Sequence, residues 1–334
     1  MDGLLIVDKP AGPSSHDVVA RVRRALGERR IGHTGTLDPA ATGLLPLVLG
    51  RATRLARFLS AGDKTYEAVV HLGVATDTND AEGRAAGPAH QGALPSRDVI
   101  DRALDAFRGT FLQQPPAYSA KKIDGQRSYR MARAASEARA QEEGSQLSSN
   151  GAGAPPPART DADASPETAR HSRRRLPDPV TVTTYRIEVV GVEEDRVTLR
   201  VDCSAGFYVR ALANDLGEQL GTGAHLFSLR RTRSGDVTLD QAFALDAIER
   251  DPASGIRAVV PLSQMLQGLS SVSLTSEGVR QALHGRDVGP DDTEKGVGPP
   301  YPFFVRLIDS AGELVGIASP VEASGLLHPA VVLM

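Results

Sequence analysis

Eight consecutive residues constrain this chain more than any others: Gly32-His33-Thr34-Gly35-Thr36-Leu37-Asp38-Pro39. The string is polar, punctuated by two glycines and closed by proline, so it reads as a loop between two helices. Gly32 and Gly35 admit backbone geometry closed to other residues and the close approach of a ligand. Pro39 biases the preceding residue to an extended conformation, which gives the Asp38 carboxylate a fixed direction. Taken alone, Asp38-Pro39 is also an ordinary turn starter, or a cap for the element that follows.

The flanking elements are well marked. Ser14 or Ser15 caps a helix that has Asp17 in its first turn, Val18, Val22 and Leu26 on one face, and Gly27 as its stop. Beyond the loop, Leu44 to Leu59 reads as a second helix starting near Pro46. Thr65 to Leu72 reads as a strand. Ser96 caps a helix carrying Ile100, Leu104 and Phe107 and ending at Gly109. Val180–Val192 and Arg196–Cys203 read as two strands around a turn at Glu193-Glu194-Asp195. Tyr208 to Leu220 is helical and stops at Gly221. Strands and helices alternate irregularly and no repeat is visible, so the chain is α+β rather than doubly wound.

At 334 residues the chain has room for about two domains. Residues 136–175 are rich in Ala, Gly, Ser, Pro and Arg and lack an apolar period, so they read as a disordered insertion within a first domain spanning 1–268. A small β-rich module follows at 272–334: a short helix capped by Ser276, then strands at Phe303–Ile308, Glu313–Ala318 and Val331–Leu333.

Cys203 is the only cysteine, so an intrachain disulfide and a cysteine-rich zinc site are both excluded. No apolar run has the length of a membrane span, and the N-terminus carries acids where a signal peptide carries bases. Those readings make a cytoplasmic protein. The net charge of −3 does not by itself announce a nucleic-acid partner. The bases are clustered, however. Arg21, Arg23, Arg24, Arg29 and Arg30 oppose only Glu28; Arg51, Arg54 and Arg57 recur at helical spacing; Lys121, Lys122, Arg127, Arg130 and Arg133 surround Asp124; Arg230, Arg231 and Arg233 form a fourth group. Any one cluster reads equally well as a solvated helix face, but together they suit a phosphate backbone. Residues 276–334 run the other way, with four bases against eight acids.

The octapeptide, continued by Ala41-Thr42-Gly43-Leu44-Leu45-Pro46, resembles the catalytic loop of the bacterial tRNA pseudouridine-55 synthases, the TruB family. Further blocks keep the family's order: Gly3-Leu4-Leu5-Ile6-Val7-Asp8-Lys9-Pro10, Lys64-Thr65-Tyr66, Gly73 with Thr76 to Gly83, Pro115 to Lys122, Cys203 to Arg210, and Gly223 to Leu226 with Leu229-Arg230-Arg231. The resemblance implies a pseudouridine synthase catalytic domain, built on a mixed, largely antiparallel sheet flanked by helices, with a PUA-like C-terminal domain. It implies that Asp38 acts on the ribose or the base, that Tyr66 stacks on the target base and takes part in proton removal, and that Arg210 pairs with Asp38. Tyr208 and Leu229 then line the nucleotide pocket. His33 fills space left by flipped bases, Asp80 makes a polar contact near the pocket, and Lys9 is structural. Lys121, Lys122, Arg230 and Arg231 become RNA contacts. The implied partner is the tRNA T-arm, with no protein partner, no cofactor and no metal, and the protein acts as a monomer.

Uridine isomerisation breaks the N1–C1′ bond and joins C5 to C1′. It needs an anion near C1′ or the base, and an Arg partner keeps such a carboxylate ionised in a dry pocket. A non-catalytic tRNA-binding or folding protein is the alternative, but it has no need of the Asp38, Tyr66 and Arg210 set. A glycosidase lacks an obvious second carboxylate.

One expectation follows from the insertion. Removing residues 140–174 leaves the melting temperature and most activity in place, because loop-closure entropy changes slowly with length. Calorimetry of the shortened chain checks this, and a loss of several degrees refutes it.

Overall fold

The computed structural model describes residues 1–116, 122–123, 126–127, 177–296, 301, 303–322 and 324–333. Lys121 and the segment 136–175 fall outside the described residues. In chain order the elements are β1 (Gly3–Lys9), α1 (Ser15–Leu26), β2 (Ile31–His33), β3 (Thr42–Leu49), α2 (Ala56–Ser60), β4 (Lys64–Leu72), α3 (Arg97–Ala103) and β5 (Gly109–Gln113). There follow β6 (Val180–Glu193), β7 (Arg196–Cys203), α4 (Val209–Leu220), β8 (Ala224–Ser234), α5 (Leu245–Arg250) and α6 (Pro252–Arg257). The last are β9 (Ser271–Ser273), α7 (Ser276–Leu283), β10 (Val305–Ile308), β11 (Leu314–Pro320) and β12 (Leu327–Val332).

The chain divides into two compact units. Unit 1 comprises Met1–Ala68, Leu199–Ala205 and Ser228–Met334; unit 2 comprises Val69–Thr198 and Gly206–Phe227. Strands β4, β7 and β8 each contribute residues to both. In unit 1 the strand order is Phe243–Ala244, β1, β3, β8, β4, β7. β1 runs antiparallel to β3 from Gly3↔Leu49 to Lys9↔Gly43, while β3 and β8 are parallel, with Arg230↔Thr42 and Arg231↔Gly43. In unit 2 the order is β4, β7, β6, β5, and β5 pairs antiparallel with β6 from Gly109↔Thr184 to Gln113↔Val180. The architecture is therefore α+β with a mixed sheet.

Helix α1 forms as its ends dictate. Ser14 and Asp17 make a reciprocal capping box, and Gly27 closes the helix at φ 64°. Gly221 ends α4 in the same way at φ 69°. The helix that follows Ser96, whose side chain makes no capping bond, finishes as a 3-10 turn over Leu104–Phe107, and α7 takes Thr275, not Ser276, as its side-chain cap.

The helix expected over Leu44–Leu59 is not one element. Its first half is strand β3, followed by a 3-10 turn at Gly50–Leu55 and the short α2. Leu44, Leu45, Leu47, Val48 and Leu49 are all fully buried. A strand covered on both faces shows a continuous apolar run without period-two alternation, and such a run imitates a buried helix.

The basic face expected at Arg51, Arg54 and Arg57 is also spent inside unit 1. These side chains donate to the carbonyls of Leu333, Val332 and Ala330 at 2.9, 2.7 and 3.3 Å. β12 is an edge strand of the four-stranded sheet β9-β10-β11-β12, and the arginines satisfy carbonyls along it. Leu314, Ile317 and Leu333 join Leu4, Ile6, Leu44 and Val48 in one core, whereas Val315 and Ala318 join Val272, Val305 and Leu307 in a second. A register slip opposite Leu307–Ile308 lets β11 serve both.

Burial, not the arginine contacts, therefore carries the attachment of the C-terminal strands. Ile317→Ala is expected to cost about 3 kcal/mol, and Arg54→Ala, at an exposed bond, under about 1 kcal/mol. Urea unfolding of the two variants checks the ranking, and the reverse order refutes it.

Candidate active site

The Asp38 loop is fixed from several directions within unit 1. Its entry is held where the Thr34 N–H donates to Pro46 O at 3.1 Å. In the first turn of α1, the Ser15 hydroxyl donates to Leu37 O at 3.0 Å and accepts from Leu37 N–H at 2.9 Å. Leu37 itself is buried. The Ala41 N–H donates to Asp38 O at 3.1 Å, closing a tight turn around Pro39. Lys9 ends β1 fully buried, and its ammonium donates to the carbonyls of Pro10, Pro39 and Ala41 at 2.9, 3.0 and 2.6 Å. A buried cation is tolerable only with such partners, so Lys9 fixes the backbone just after Asp38. Its structural role agrees with the sequence reading.

Arg231 is the second buried cation. It was expected to contact RNA, but only 1% of its surface is exposed. Its Nε donates to Leu44 O at 2.7 Å and its Nη2 to Gly35 O at 3.1 Å. Two glycines make this possible. A Cβ at Gly35 would stand 3.3 Å from Arg231 Nη1, and at Gly43, with φ +96°, one would stand 2.3 Å from Arg231 O. The cause of the correction is strand alternation: Leu229 and Arg231 share a side of β8, and Arg230 takes the other. Arg230 is half-exposed and pairs with Asp8 at 2.7 Å. Arg233 donates to the Thr65 hydroxyl at 3.0 Å. Of the fourth basic cluster, no member is a bare surface charge.

Tyr66, on β4, is buried. Burial pushes its phenol pKa up; the charge and hydrogen bond of Arg231 oppose that rise, and the nearby Asp38 carboxylate adds to it. Asp38 and Tyr66 thus share one electrostatic environment. Two residues away, burial and the charge of Arg231 bring Lys64 down to about 8. Leu229 is half-buried, and its carbonyl accepts from the Thr42 hydroxyl at 3.3 Å. His33 is half-buried and meets the His16 ring edge-on at 5.2 Å.

Unit 2 holds the other expected site residues. Arg210, in the first turn of α4, is buried, lies 3.6 Å from the Asp80 carboxylate and donates to Thr78 O at 3.3 Å. Asp80 is more than the polar contact foreseen. Its carboxylate accepts from the Thr78 hydroxyl at 2.5 Å and from Glu82 N–H at 3.2 Å, so it also organises its own turn. Ala81 N–H donates to Leu226 O, and Leu226 N–H donates to Asn79 O. Sequence reasoning missed Gln113. Its side-chain amide donates to Tyr208 O at 3.0 Å and accepts from Tyr208 N–H at 2.8 Å, which fixes the N-cap of α4. An inward polar residue at the end of the short β5 was the available signal. Lys122 lies on a two-residue strand opposite Arg127. Among the described residues no His, Cys, Asp and Glu group has a metal-binding arrangement.

Comparison with known proteins agrees with the loop. Residues 23–150 match the model of the TruB family pseudouridylate synthase N-terminal domain, and residues 210–269 match that of the tRNA pseudouridylate synthase B C-terminal domain. A tRNA pseudouridine synthase B of Solibacter usitatus is 37% identical over 335 residues, covering 100% of both chains. One of Ralstonia nicotianae is 40% identical over 98% of this chain and 92% of its own. Among solved structures, an H/ACA RNP bound to a substrate RNA containing 2′-deoxyuridine shares the fold, at TM-score 0.67 and 24% identity over 99% of this chain and 85% of that one. Identity of this depth over the full length, with two family models in chain order, has one reading: the chain belongs to the TruB family of pseudouridylate synthases.

Proposed function

We propose that this protein isomerises uridine to pseudouridine at position 55 in the T-loop of tRNA, in the cytoplasm and as a monomer. The observation that carries the reading is an aspartate on a loop fixed by Ser15, Lys9 and Arg231, beside a buried tyrosine. A binding protein has no use for a carboxylate held so firmly.

In this reading the target uridine leaves its stack at a cost of a few kcal/mol, recovered by stacking and phosphate contacts. His33 takes space vacated by the flipped bases, and Tyr208 and Leu229 line the nucleotide pocket. Asp38 acts at C1′ or on the base while the N1–C1′ bond breaks. The base turns, C5 bonds to C1′, and the C5 proton leaves as N1 gains one, with Tyr66 taking part in the transfer. The sum is redox-neutral. Arg210, oriented by Asp80, pairs with Asp38 and keeps it ionised. The module at 272–334 acts as a PUA-like domain whose acidic balance makes it a weak holder of RNA.

The RNA-facing charge comes from Arg24, Arg29 and Arg30, which are exposed, together with Lys121 and Lys122. Arg29→Ala with Arg30→Ala is expected to flatten the slope of log K against log salt by up to about two. Filter binding over a salt series checks this, and an unchanged slope places the interface elsewhere.

Asp38→Asn is expected to abolish pseudouridine formation while tRNA affinity and fold persist. The amide keeps the shape and removes the charge, and it is neither a comparable nucleophile nor a base. Mass spectrometry of labelled tRNA, run beside a binding assay, checks this. Turnover well above background in the variant would remove Asp38 from the chemistry. Lost binding with turnover retained per bound complex would make it a structural cap.

A further inference from the structure

A cavity of about 540 Å³ lies wholly within unit 1 and is lined by neither Asp38 nor Tyr66. Its floor is the sheet: Ile6 and Pro46 face each other across β1 and β3, with Leu4 on the same side of β1. Its walls include Leu59 of α2, Val260, and Met265 from the segment leading to β9. The size is that of a small-molecule site, and the lining is mostly apolar.

Two polar groups interrupt that lining. Thr34 is 1% exposed, and among the described residues its hydroxyl has no hydrogen-bond partner. Its N–H is bonded to Pro46 O, so the residue is fixed at the floor of the cavity. A buried hydroxyl left unanswered is destabilising, and a polar atom of a ligand removes that penalty. Asp236, exposed just past the end of β8, is the second group and makes no ion pair among the described residues. It is also the one charged residue among the described residues of the lining. The Gln241 and Gln267 side chains beside it are already engaged, by Thr238 N–H and Ser263 O at 2.9 and 2.8 Å.

We propose that this cavity is a binding site for a small organic amine. The apolar body lies against Ile6, Pro46 and Met265, a polar group at its inner end bonds to the Thr34 hydroxyl, and its ammonium sits at the rim beside Asp236. Charge decides the class. A lone carboxylate beside an apolar recess repels phosphates and carboxylates and attracts a cation. At the rim the ammonium keeps most of its water, so little desolvation opposes the attraction. A threonine hydroxyl both donates and accepts, which suits a hydroxyl at the inner end. The site needs no role for Asp38, although Thr34 opens the loop that carries it.

Methionine-methyl NMR of the full-length protein tests this. Of Met1, Met131, Met265 and Met334, only Met265 lines the cavity, and Met265→Leu assigns its signal. The probes are tyramine, phenethylamine, which lacks the inner hydroxyl, and phloretate, which carries a carboxylate in place of the ammonium. Millimolar tyramine is expected to shift the Met265 signal saturably and to leave those of Met1 and Met131 in place. Phenethylamine binds about tenfold more weakly, and phloretate gives no saturable shift. Thr34→Val weakens tyramine by the same factor and leaves phenethylamine unchanged. Asp236→Asn removes the preference for amine over carboxylate. If Thr34→Val fails to fold, tyramine against phenethylamine on the unaltered protein makes the same comparison.

No saturable shift with tyramine overturns the proposal. Equal affinity for all three probes reduces the cavity to an unselective apolar recess and overturns it as well. Tyramine binding untouched by both Thr34→Val and Asp236→Asn removes those residues from the site, with the same consequence. Pseudouridine formation enters none of these readings, so failure here leaves the proposed function standing.

Discussion

Two buried cations hold the loop on which the rest of unit 1 is arranged. Lys9 and Arg231 reach it from opposite ends of the sequence, and both donate to main-chain carbonyls: Pro39 and Ala41 for the first, Gly35 and Leu44 for the second. Carbonyls in a loop face a choice between water and a donor, and a donor that is itself buried and charged makes the stronger bond. The penalty for leaving either cation unpaired is larger than that for an uncharged group, so the loop has little freedom to relax away. Asp38 lies between Gly35, held by Arg231, and Pro39, held by Lys9. Its direction is thus a property of the sheet, transmitted through β1 and β8, rather than of the eight loop residues alone.

This explains why the central strands are ordered as they are. β3 lies between β1 and β8, so that Lys9 comes opposite Gly43 on one edge and Arg231 opposite the same glycine on the other. A side chain at Gly43 would collide with the Arg231 backbone. The pairing joins residues nearly two hundred positions apart, so the loop is completed only when a non-local parallel contact forms, an intrinsically slow kind of step. A further consequence concerns stability: β3 is buried on both faces, and a core lesion there would be felt at the loop through the same strand.

Much of this was legible in the sequence, and the misses have physical causes. The ends of α1 and α4 were clear because capping and left-handed glycine stops are local chemistry. The boundaries of β6 and β7 were clear because their turn interrupts β-rich runs. The octapeptide, Tyr66 and Arg210 stood out through the order of their blocks. β3 was misread because two-sided burial erases the alternation that identifies a strand. The arginines were misread for a related reason. A cluster of basic residues records charge but not direction, and only the fold shows that Arg51, Arg54 and Arg57 cap β12 while Arg231 enters the core. Gln113 and the Asp80–Arg210 pair were invisible as interactions, since both join distant parts of the chain.

The reassigned arginines change how an acidic protein grips an anionic substrate. Arg21 is engaged by Glu249, Arg51 by Asp2 and Arg230 by Asp8, and Arg23, Arg54, Arg57, Arg231 and Arg233 donate to main-chain carbonyls. The ion pairs offset part of the clusters' charge, whereas the carbonyl bonds leave each guanidinium charged and fix where it points. In the proposed function that restraint has a use. A T-loop must be held strongly enough to extrude one uridine, yet released once the new bond has formed. Selectivity then rests on the shape of the loop and on the fixed Asp38. The same economy appears at Tyr66, where burial and Asp38 disfavour the phenolate and Arg231 alone favours it.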